Sequence, residues 1–378
     1  MVRGVRQSWE WGNEKSKQGN LATELPRFEG TVASLQPAYL ARLSFGAADL
    51  AAIHRLGEAR GRQDLFLRQY SEPLNTLRTH AQVESTESSN RIEGIVAAPG
   101  RVRELVVHQT QPRDRSEQEI AGYRDALQLI HESHADMRLT QNVVLQLHQM
   151  LYRYQAGSGG RWKSTNNDIV ERDGTGQVVR VRFTPTSAVA TPQAMADLVT
   201  HYQSHLDQRL AEPLVLLPLA VLDFLCVHPF SDGNGRVARL LSLLLLYHFD
   251  YHVGRYVSLE RIVEESRTTY YEALERSSRG WHEHAHDAHP WLEYFWGVLI
   301  RAYREFEERV ASLQGSKTNQ IRAAVARRLG AFGIADIERD APGVSRDMVR
   351  HVLRRMRTEG LVRVEGLGRG AKWRAAQP

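Results

Sequence analysis

The sequence predicts a mainly α-helical fold, with a β-hairpin inserted in its core and a winged helix–turn–helix at its C-terminal end. Three observations carry this. Residues 213–227 (PLVLLPLAVLDFLCV) and the RVARLLSLLLLYHF run after Gly235 are long apolar stretches that suit buried helices. The Gly174-Thr175-Gly176 turn lies between β-branched runs, as a hairpin requires. From Lys317 onward there are 14 Lys and Arg against 6 Asp and Glu, a net +8 in a chain whose total is +5.

A length of 378 residues suggests two or three domains. The first 25 residues, rich in Gly, Ser and Lys with Trp9 and Trp11, read as loosely ordered. Residues 31–110 carry helical apolar periodicity, so residues 1–112 read as an N-terminal helical extension. Residues 113–311 form the helical core with its hairpin, and Ser312–Ser316 reads as a linker.

Residues 317–378 read as helix (Gln320–Leu329), helix (Ile334–Asp340), a turn at Pro342-Gly343, helix (Ser345–Glu359), then two short strands around Gly366–Gly370. That order is the winged helix–turn–helix. On the third helix Val349, Val352, Leu353 and Met356 make one face, and Arg346, Arg350, Arg354 and Arg357 another. A basic stripe on such a helix, with Arg369 and Lys372 at a wing, suits DNA phosphates; the alternative is a solvated face of a protein-docking or dimerisation module. Arg346, Arg350 and Arg354 are the DNA-binding candidates.

Composition bounds the function. Hydrophobic residues make up 42% of the chain, ample for a core. No run of about 20 apolar residues suggests a membrane span, and no charged-then-apolar signal pattern opens the chain. A single cysteine, Cys226, excludes an intramolecular disulfide and fits a reducing cytoplasm. Inside an apolar helix it reads as a small buried hydrophobe. His282, His284, His286 and His289 lack the fixed spacing of a metal site.

The chemistry concentrates in His228–Arg239, HPFSDGNGRVAR. Moving a phosphate-containing group onto a hydroxyl needs a base to take the proton, here His228. It needs a carboxylate to hold Mg²⁺, a hard cation that binds carboxylate and phosphate oxygens, here Asp232. Glycines let backbone N–H groups approach phosphate oxygens, and arginines clamp them. Pro229 breaks the first helix, so the motif is a loop between two core helices. GNGR then lies at the N-terminus of the second helix, a ready anion site.

This segment resembles the signature of the Fic-domain proteins, His-x-Phe-x-(Asp/Glu)-Gly-Asn-Gly-Arg-x-x-Arg, at every fixed position. The resemblance implies a Fic-type helical core that transfers AMP from ATP to a hydroxyl side chain (Tyr, Thr or Ser) of a target protein. It implies that His228 is the base and that Asp232 holds Mg²⁺. It implies that Gly233, Asn234, Gly235 and Arg236 cradle the α- and β-phosphates and that Arg239 reaches the γ-phosphate. Related Doc toxins, which transfer a phosphate, carry Lys where this chain has Gly235.

Ser89-Asn90-Arg91-Ile92-Glu93-Gly94 resembles the family's inhibitory motif, (Ser/Thr)-x-x-x-Glu-(Gly/Asn). The resemblance implies that Glu93, with Ser89, pairs with Arg239 and holds the enzyme off. A carboxylate there takes the group meant for the γ-phosphate and repels that phosphate. Gly159–Ser164, Thr165–Ile169 and Val181–Pro185 resemble the family's flap, which aligns the target segment; Lys163, Ser164, Thr165 and Ile169 are its candidate residues. Lys163 stands where the family often has Arg. Tyr271, in Tyr270–Leu274, resembles the tyrosine lining the adenine pocket.

The resemblance therefore implies a self-inhibited, Mg²⁺-dependent protein adenylyltransferase that uses ATP. Its partners would be a hydroxyl-bearing protein, itself included, and DNA through residues 317–378. A homodimer is left open. The alternative is a nucleotide-sensing, DNA-binding transcription regulator. An intact His228 and Asp232 favour the enzyme, since a sensor needs neither.

Overall fold

The computed structural model describes residues 32–69, 71–155, 159–208, 211–314, 317–328, 330–341, 343–366 and 372–376. Trp9, Trp11, Pro342 and Arg369, singled out above, lie outside them. The fold is mainly helical. The chain divides into two compact units, residues 1–63 with 74–303, and residues 64–73 with 304–378.

The helices run α1 (Pro37–Leu40), α2 (Ala47–Gln69), α3 (Ser71–Ile92), α4 (Arg101–Val107), α5 (Arg115–Ser133) and α6 (Gln141–Leu151). A two-stranded antiparallel hairpin follows, β1 (Ile169–Arg172) and β2 (Val178–Phe183), in which Val170 pairs with Val181. Then come α7 (Thr191–Gln208), α8 (Pro213–Val227), α9 (Asn234–His248), α10 (Leu259–Glu265), α11 (Arg267–Ser278) and α12 (His289–Gln314). The last elements are α13 (Lys317–Ala326), α14 (Ile334–Asp340), α15 (Arg346–Thr358) and a second antiparallel pair, β3 (Val362–Glu365) and β4 (Lys372–Ala375).

Local chemistry sets several boundaries. Asp114 and Thr140 cap α5 and α6, accepting from the Glu117 and Val143 N–H groups at 2.9 and 3.1 Å. Pro213 opens α8, where a missing N–H costs nothing. α12 runs on to Gln314, so Ser312–Gln314 of the expected linker are helical, and Gly315 and Ser316 lie outside the described residues. Ser-Leu-Gln carries no helix breaker before Gly315.

α8 and α9 form the centre of the first unit, and nearly all their side chains are buried. α8 tolerates a proline in its interior for an identifiable reason. Pro218 has no N–H to give the Leu214 carbonyl. The Trp296 indole donates to that carbonyl at 2.8 Å, and the Trp291 indole donates to the Pro218 carbonyl at 2.7 Å. Trp296 of α12 thus supplies the donor that Pro218 lacks, and Trp291 adds a second hydrogen bond at the same place.

One turn later on α8, the fully buried Asp223 gathers a distant segment. Its carboxylate accepts from the Ser34 and Leu35 N–H groups, each at 3.0 Å, and from the Trp281 indole at 2.6 Å. Burial still pushes its pKa up to about 6. No helix among the described residues is long and apolar enough to cross a membrane.

In the second unit, Val349, Val352, Leu353 and Met356 of α15 pack with Ile321, Ile337, Phe332 and Trp373 into a core. Phe332 pairs with Trp373 through two backbone hydrogen bonds of 2.8 Å, adding a third short strand segment beside β4.

Candidate functional site

The turn from α8 into α9 is held by side chains, because its own backbone has left the helical ladder. His228 ends α8 in the left-handed region, at φ 50° and ψ 61°. A non-glycine residue there is strained and needs external support. Lys163 supplies much of it: its N–H donates to the Pro229 carbonyl at 2.8 Å, and its ammonium to the Val227 carbonyl at 3.1 Å. Asn234 braces Phe230 twice, accepting from its N–H at 2.9 Å and donating to its carbonyl at 2.8 Å. Asn167 donates to the Phe230 carbonyl at 3.2 Å. The loop's polar backbone is thereby satisfied away from water.

His228 is nearly covered, and its imidazole is pushed down to about 3 by burial, with the Lys163 charge adding to it. At neutral pH it is uncharged, the state in which a ring nitrogen accepts a proton. Lys163, itself buried, has its pKa lowered to about 8.

Asp232 differs: its side chain is 57% exposed. It is oriented by the Tyr152 hydroxyl, which donates to Oδ2 at 2.9 Å, and by the Gly233 N–H, which donates to Oδ1 at 2.7 Å. Gly233, at φ 80°, is the N-cap of α9. Arg236 is almost fully buried; it donates to Tyr152 Oη at 2.9 Å and to Glu119 Oε2 at 2.7 Å. Below this loop the His148 ring stacks on Phe230 with centroids 3.7 Å apart. His148 Nδ1 accepts from the Gly160 N–H at 2.9 Å, so Nε2 carries the proton and donates to the Asp232 carbonyl at 3.2 Å.

Arg239, one turn further along α9, meets the distant Ser89–Gly94 segment at the end of α3. Its Nη2 donates to Glu93 Oε1 at 2.8 Å and to the Ser89 carbonyl at 2.9 Å; its Nε donates to Ser89 Oγ at 2.8 Å. Its Nη1 is buried with no partner among the described residues. That atom would lie 3.3 Å from a β-carbon placed on Gly235, and the Glu93 carboxylate would overlap such a carbon outright. Gly235 therefore leaves a cradle that Glu93 enters.

Two pockets meet at Glu93 and Gly235. One, of about 330 Å³, is polar and lined by His228, Ser231, Asp232, Gly233, Asn167 and Asp168. The other, of about 610 Å³, is largely apolar and includes Tyr270, Tyr271, Leu225, Cys226 and Leu274, with Arg182 and Glu275 at its polar side. Cys226 is buried, with its thiol pKa raised by burial.

The structure thus gathers His228, Asp232, Gly233, Gly235, Arg239, Glu93, Ser89 and Tyr271 around the two pockets. Asn234 reaches the polar pocket, but its amide is committed to Phe230. Of the flap candidates, only Ile169 lies on the hairpin. Ser164 and Thr165 are exposed in the preceding loop, and Lys163 is buried beneath His228. The hairpin is tied to α11 by Arg180 and Arg182, both paired with Glu275, and its end is held by His282 at 2.8 Å from the Thr184 carbonyl.

Sequence reasoning passed over Tyr152, His148, Glu119 and Asn167. A signal existed for one pair: His148 and Tyr152 stand four residues apart, which places two polar rings on one side of an apolar helix and its exit.

Residues 138–246 match the Fic/DOC family. The chain is 28% identical over 156 residues to Protein adenylyltransferase fic-1 of Caenorhabditis elegans, covering 41% of this chain and 28% of that protein. It spans little more than a quarter of the length of the curated relatives it matches. Its fold is similar to that of a Fic family protein from Desulfovibrio desulfuricans G20, with TM-score 0.57 and 21% identity over 89% of this chain and 98% of that one. A Fic domain containing signaling protein from Bacteroides thetaiotaomicron VPI-5482 is similar at TM-score 0.56 and 21% identity, over 69% of this chain and 98% of that one. Since the matched residues include the whole loop from His228 to Arg239, residues 138–246 of this chain form a Fic/DOC-family domain.

Proposed function

We propose that the protein transfers AMP from ATP to a hydroxyl side chain of a target protein, and that Glu93 holds it in an off state. The carrying observation is the polar pocket at the α9 N-terminus, which shares Glu93 and Gly235 with an apolar pocket lined by Tyr271. The apolar pocket suits an adenine base. The free N–H groups of α9 and the unpartnered Arg239 Nη1 suit phosphates.

In the reaction the target's hydroxyl oxygen attacks the α-phosphorus, and the bond to the α–β bridging oxygen breaks to release pyrophosphate. Uncharged His228 takes the hydroxyl proton. Arg236, locked by Glu119 and Tyr152, holds a fixed positive charge beside the cradle. The exposed valines Val178, Val179 and Val181 on β2 suit pairing with an extended target segment, which aligns its hydroxyl.

Asp232 fits a Mg²⁺ ligand. It is the exposed carboxylate of the loop, fixed by two donors that leave oxygen lone pairs free. No cluster of three or more His, Cys, Asp or Glu side chains suited to a metal occurs among the described residues, so phosphate oxygens would complete the shell. Bound there, Mg²⁺ would neutralise charge on the phosphates.

The test is transfer of label from α-labelled ATP to protein by the Glu93→Gly variant, with and without a cell lysate. His228→Ala in that background should lower transfer by roughly 10²–10⁴-fold while ATP still binds. Formation of labelled AMP or ADP alone, with no protein labelled, would overturn the reading.

A further inference from the structure

We propose that the second unit is a double-stranded DNA-binding module, with α15 placed against the phosphate backbone and into the major groove. From Lys317 on, its element order is three helices and a β-pair, with Phe332 joining β4 as a third strand segment. The turn between α14 and α15 passes through Gly343 at φ 82° and ends at Ser345, which caps α15 by accepting from the Met348 N–H at 3.3 Å. This is the arrangement in which the last helix is free to enter a groove.

The division of α15 supports the proposal. One face is spent on the core through Val349, Val352, Leu353 and Met356. A flanking face presents Arg346, Arg350, Arg354 and Arg357, all exposed. At 1.5 Å per residue the stripe runs about 16 Å, enough to track several phosphates of a duplex.

Its electrostatics are one-sided. Asp336, Glu338, Asp340, Asp347, Glu359 and Glu365 each already face an arginine of this unit. On the stripe, Arg346 pairs with Glu338 at 3.5 Å and Arg350 with Asp347 at 3.1 Å. Both are exposed pairs of small worth, which phosphates can replace. Arg354 and Arg357 have no carboxylate partner among the described residues. Arg363 and Lys372 add exposed charge on the β-pair. With five arginines and one aspartate, α15 carries +4 of the net +8 of residues 317–378 on the helix that this topology presents.

The experiment is fluorescence anisotropy of the full-length chain with a labelled mixed-sequence DNA duplex, titrated from about 50 to 200 mM salt. Binding should weaken steeply with salt. Arg350→Ala/Arg354→Ala/Arg357→Ala should lower affinity at least tenfold and reduce the slope of log K against log salt by about 3, near one unit per lost phosphate contact. Replacing the same three residues by Lys should keep most of the slope. Circular dichroism checks that the exposed substitutions leave the fold intact. Absence of binding at the lowest salt, binding indifferent to the alanine variant, or preference for duplex RNA or an acidic protein over duplex DNA would each overturn the proposal.

Discussion

Arg239 and Glu93 lie 146 positions apart in sequence and form a 2.8 Å ion pair over Gly235. Both are nearly buried, with side-chain exposures of 6% and 11%. Removing one partner of such a pair normally costs about 3–5 kcal/mol, because the other charge is left uncompensated. Glu93→Gly should therefore lower the melting temperature without nucleotide, and ATP should restore it by supplying the missing anion. Auto-modification should rise together with that recovery. Arg239→Ala added to Glu93→Gly should cancel the gain. A folded, ATP-binding Glu93→Gly variant with unchanged labelling would falsify self-inhibition.

Ser89 holds the same arginine through its hydroxyl, at 2.8 Å from Arg239 Nε. Ser89→Ala leaves a buried donor short of one acceptor, at a cost of about 1–3 kcal/mol. The backbone carbonyl of Ser89 and the Glu93 carboxylate remain. Labelling should rise only part of the way toward that of Glu93→Gly. Activation equal to or greater than Glu93→Gly would show that Ser89, not the carboxylate, carries the restraint.

Tyr152 joins Asp232 to Arg236 through one hydroxyl. Tyr152→Phe keeps the ring and removes both hydrogen bonds. In the Glu93→Gly background, turnover should fall by about 10-fold or more, and half-saturation by Mg²⁺ should move to higher concentration. Buried Arg236 Nη2 loses an acceptor at a cost of about 1–3 kcal/mol, so the melting temperature should fall modestly below that of Glu93→Gly alone. If the Mg²⁺ titration is unmoved while turnover falls, Tyr152 acts through Arg236 and not through Asp232.

Lys163 gives the site an alkaline limit. Its pKa is lowered to about 8, so raising the pH from 7 to 9 discharges the ammonium that donates to the Val227 carbonyl. Transfer by the Glu93→Gly variant should decline with an apparent pKa near 8. Lys163→Arg, which stays charged, should push that decline beyond pH 10. An identical profile in both proteins would assign the limb to another group.

Acid should destabilise the fold through its covered histidines. Burial lowers the pKa of His131 and His228 to about 3 and of His148 and His286 to about 4. Below about pH 6.5 the unfolded chain binds protons that the folded chain refuses, so stability is lost as pH falls toward 4. Asp223, raised to about 6, works in the opposite sense and offsets part of the slope. Thermal melts between pH 7.5 and 4.5 should show a falling midpoint. His131→Gln should flatten the dependence by up to one proton, about 1.4 kcal/mol per pH unit. A melting temperature level across that range would contradict the assignment.

Periodicity and spacing were enough to place α8, the loop after it and the start of α9, because an apolar run ended by Pro229 and reopened at a glycine has few other local solutions. The turn of the β1–β2 hairpin was legible in Gly174-Thr175-Gly176 for the same local reason. The likeness of Ser89–Gly94 and His228–Arg239 to two motifs of one family named Glu93 and Arg239 as partners before any contact was visible.

What the sequence left open depends on groups brought together from afar. Pro218 looks like an obstacle inside α8 until Trp296 takes the carbonyl it abandons. Asp223 is an isolated acid in an apolar run until the Ser34 and Leu35 N–H groups arrive. Lys163 read as a flap residue, yet its ammonium lies under His228, where the turn's carbonyls need donors. Tyr152 gained its place only when α9 packed against α6 and set Asp232 and Arg236 on either side of one hydroxyl. Turns and helix stripes are written in neighbouring residues, whereas the satisfaction of a buried polar group is settled by whichever distant donor the packing delivers.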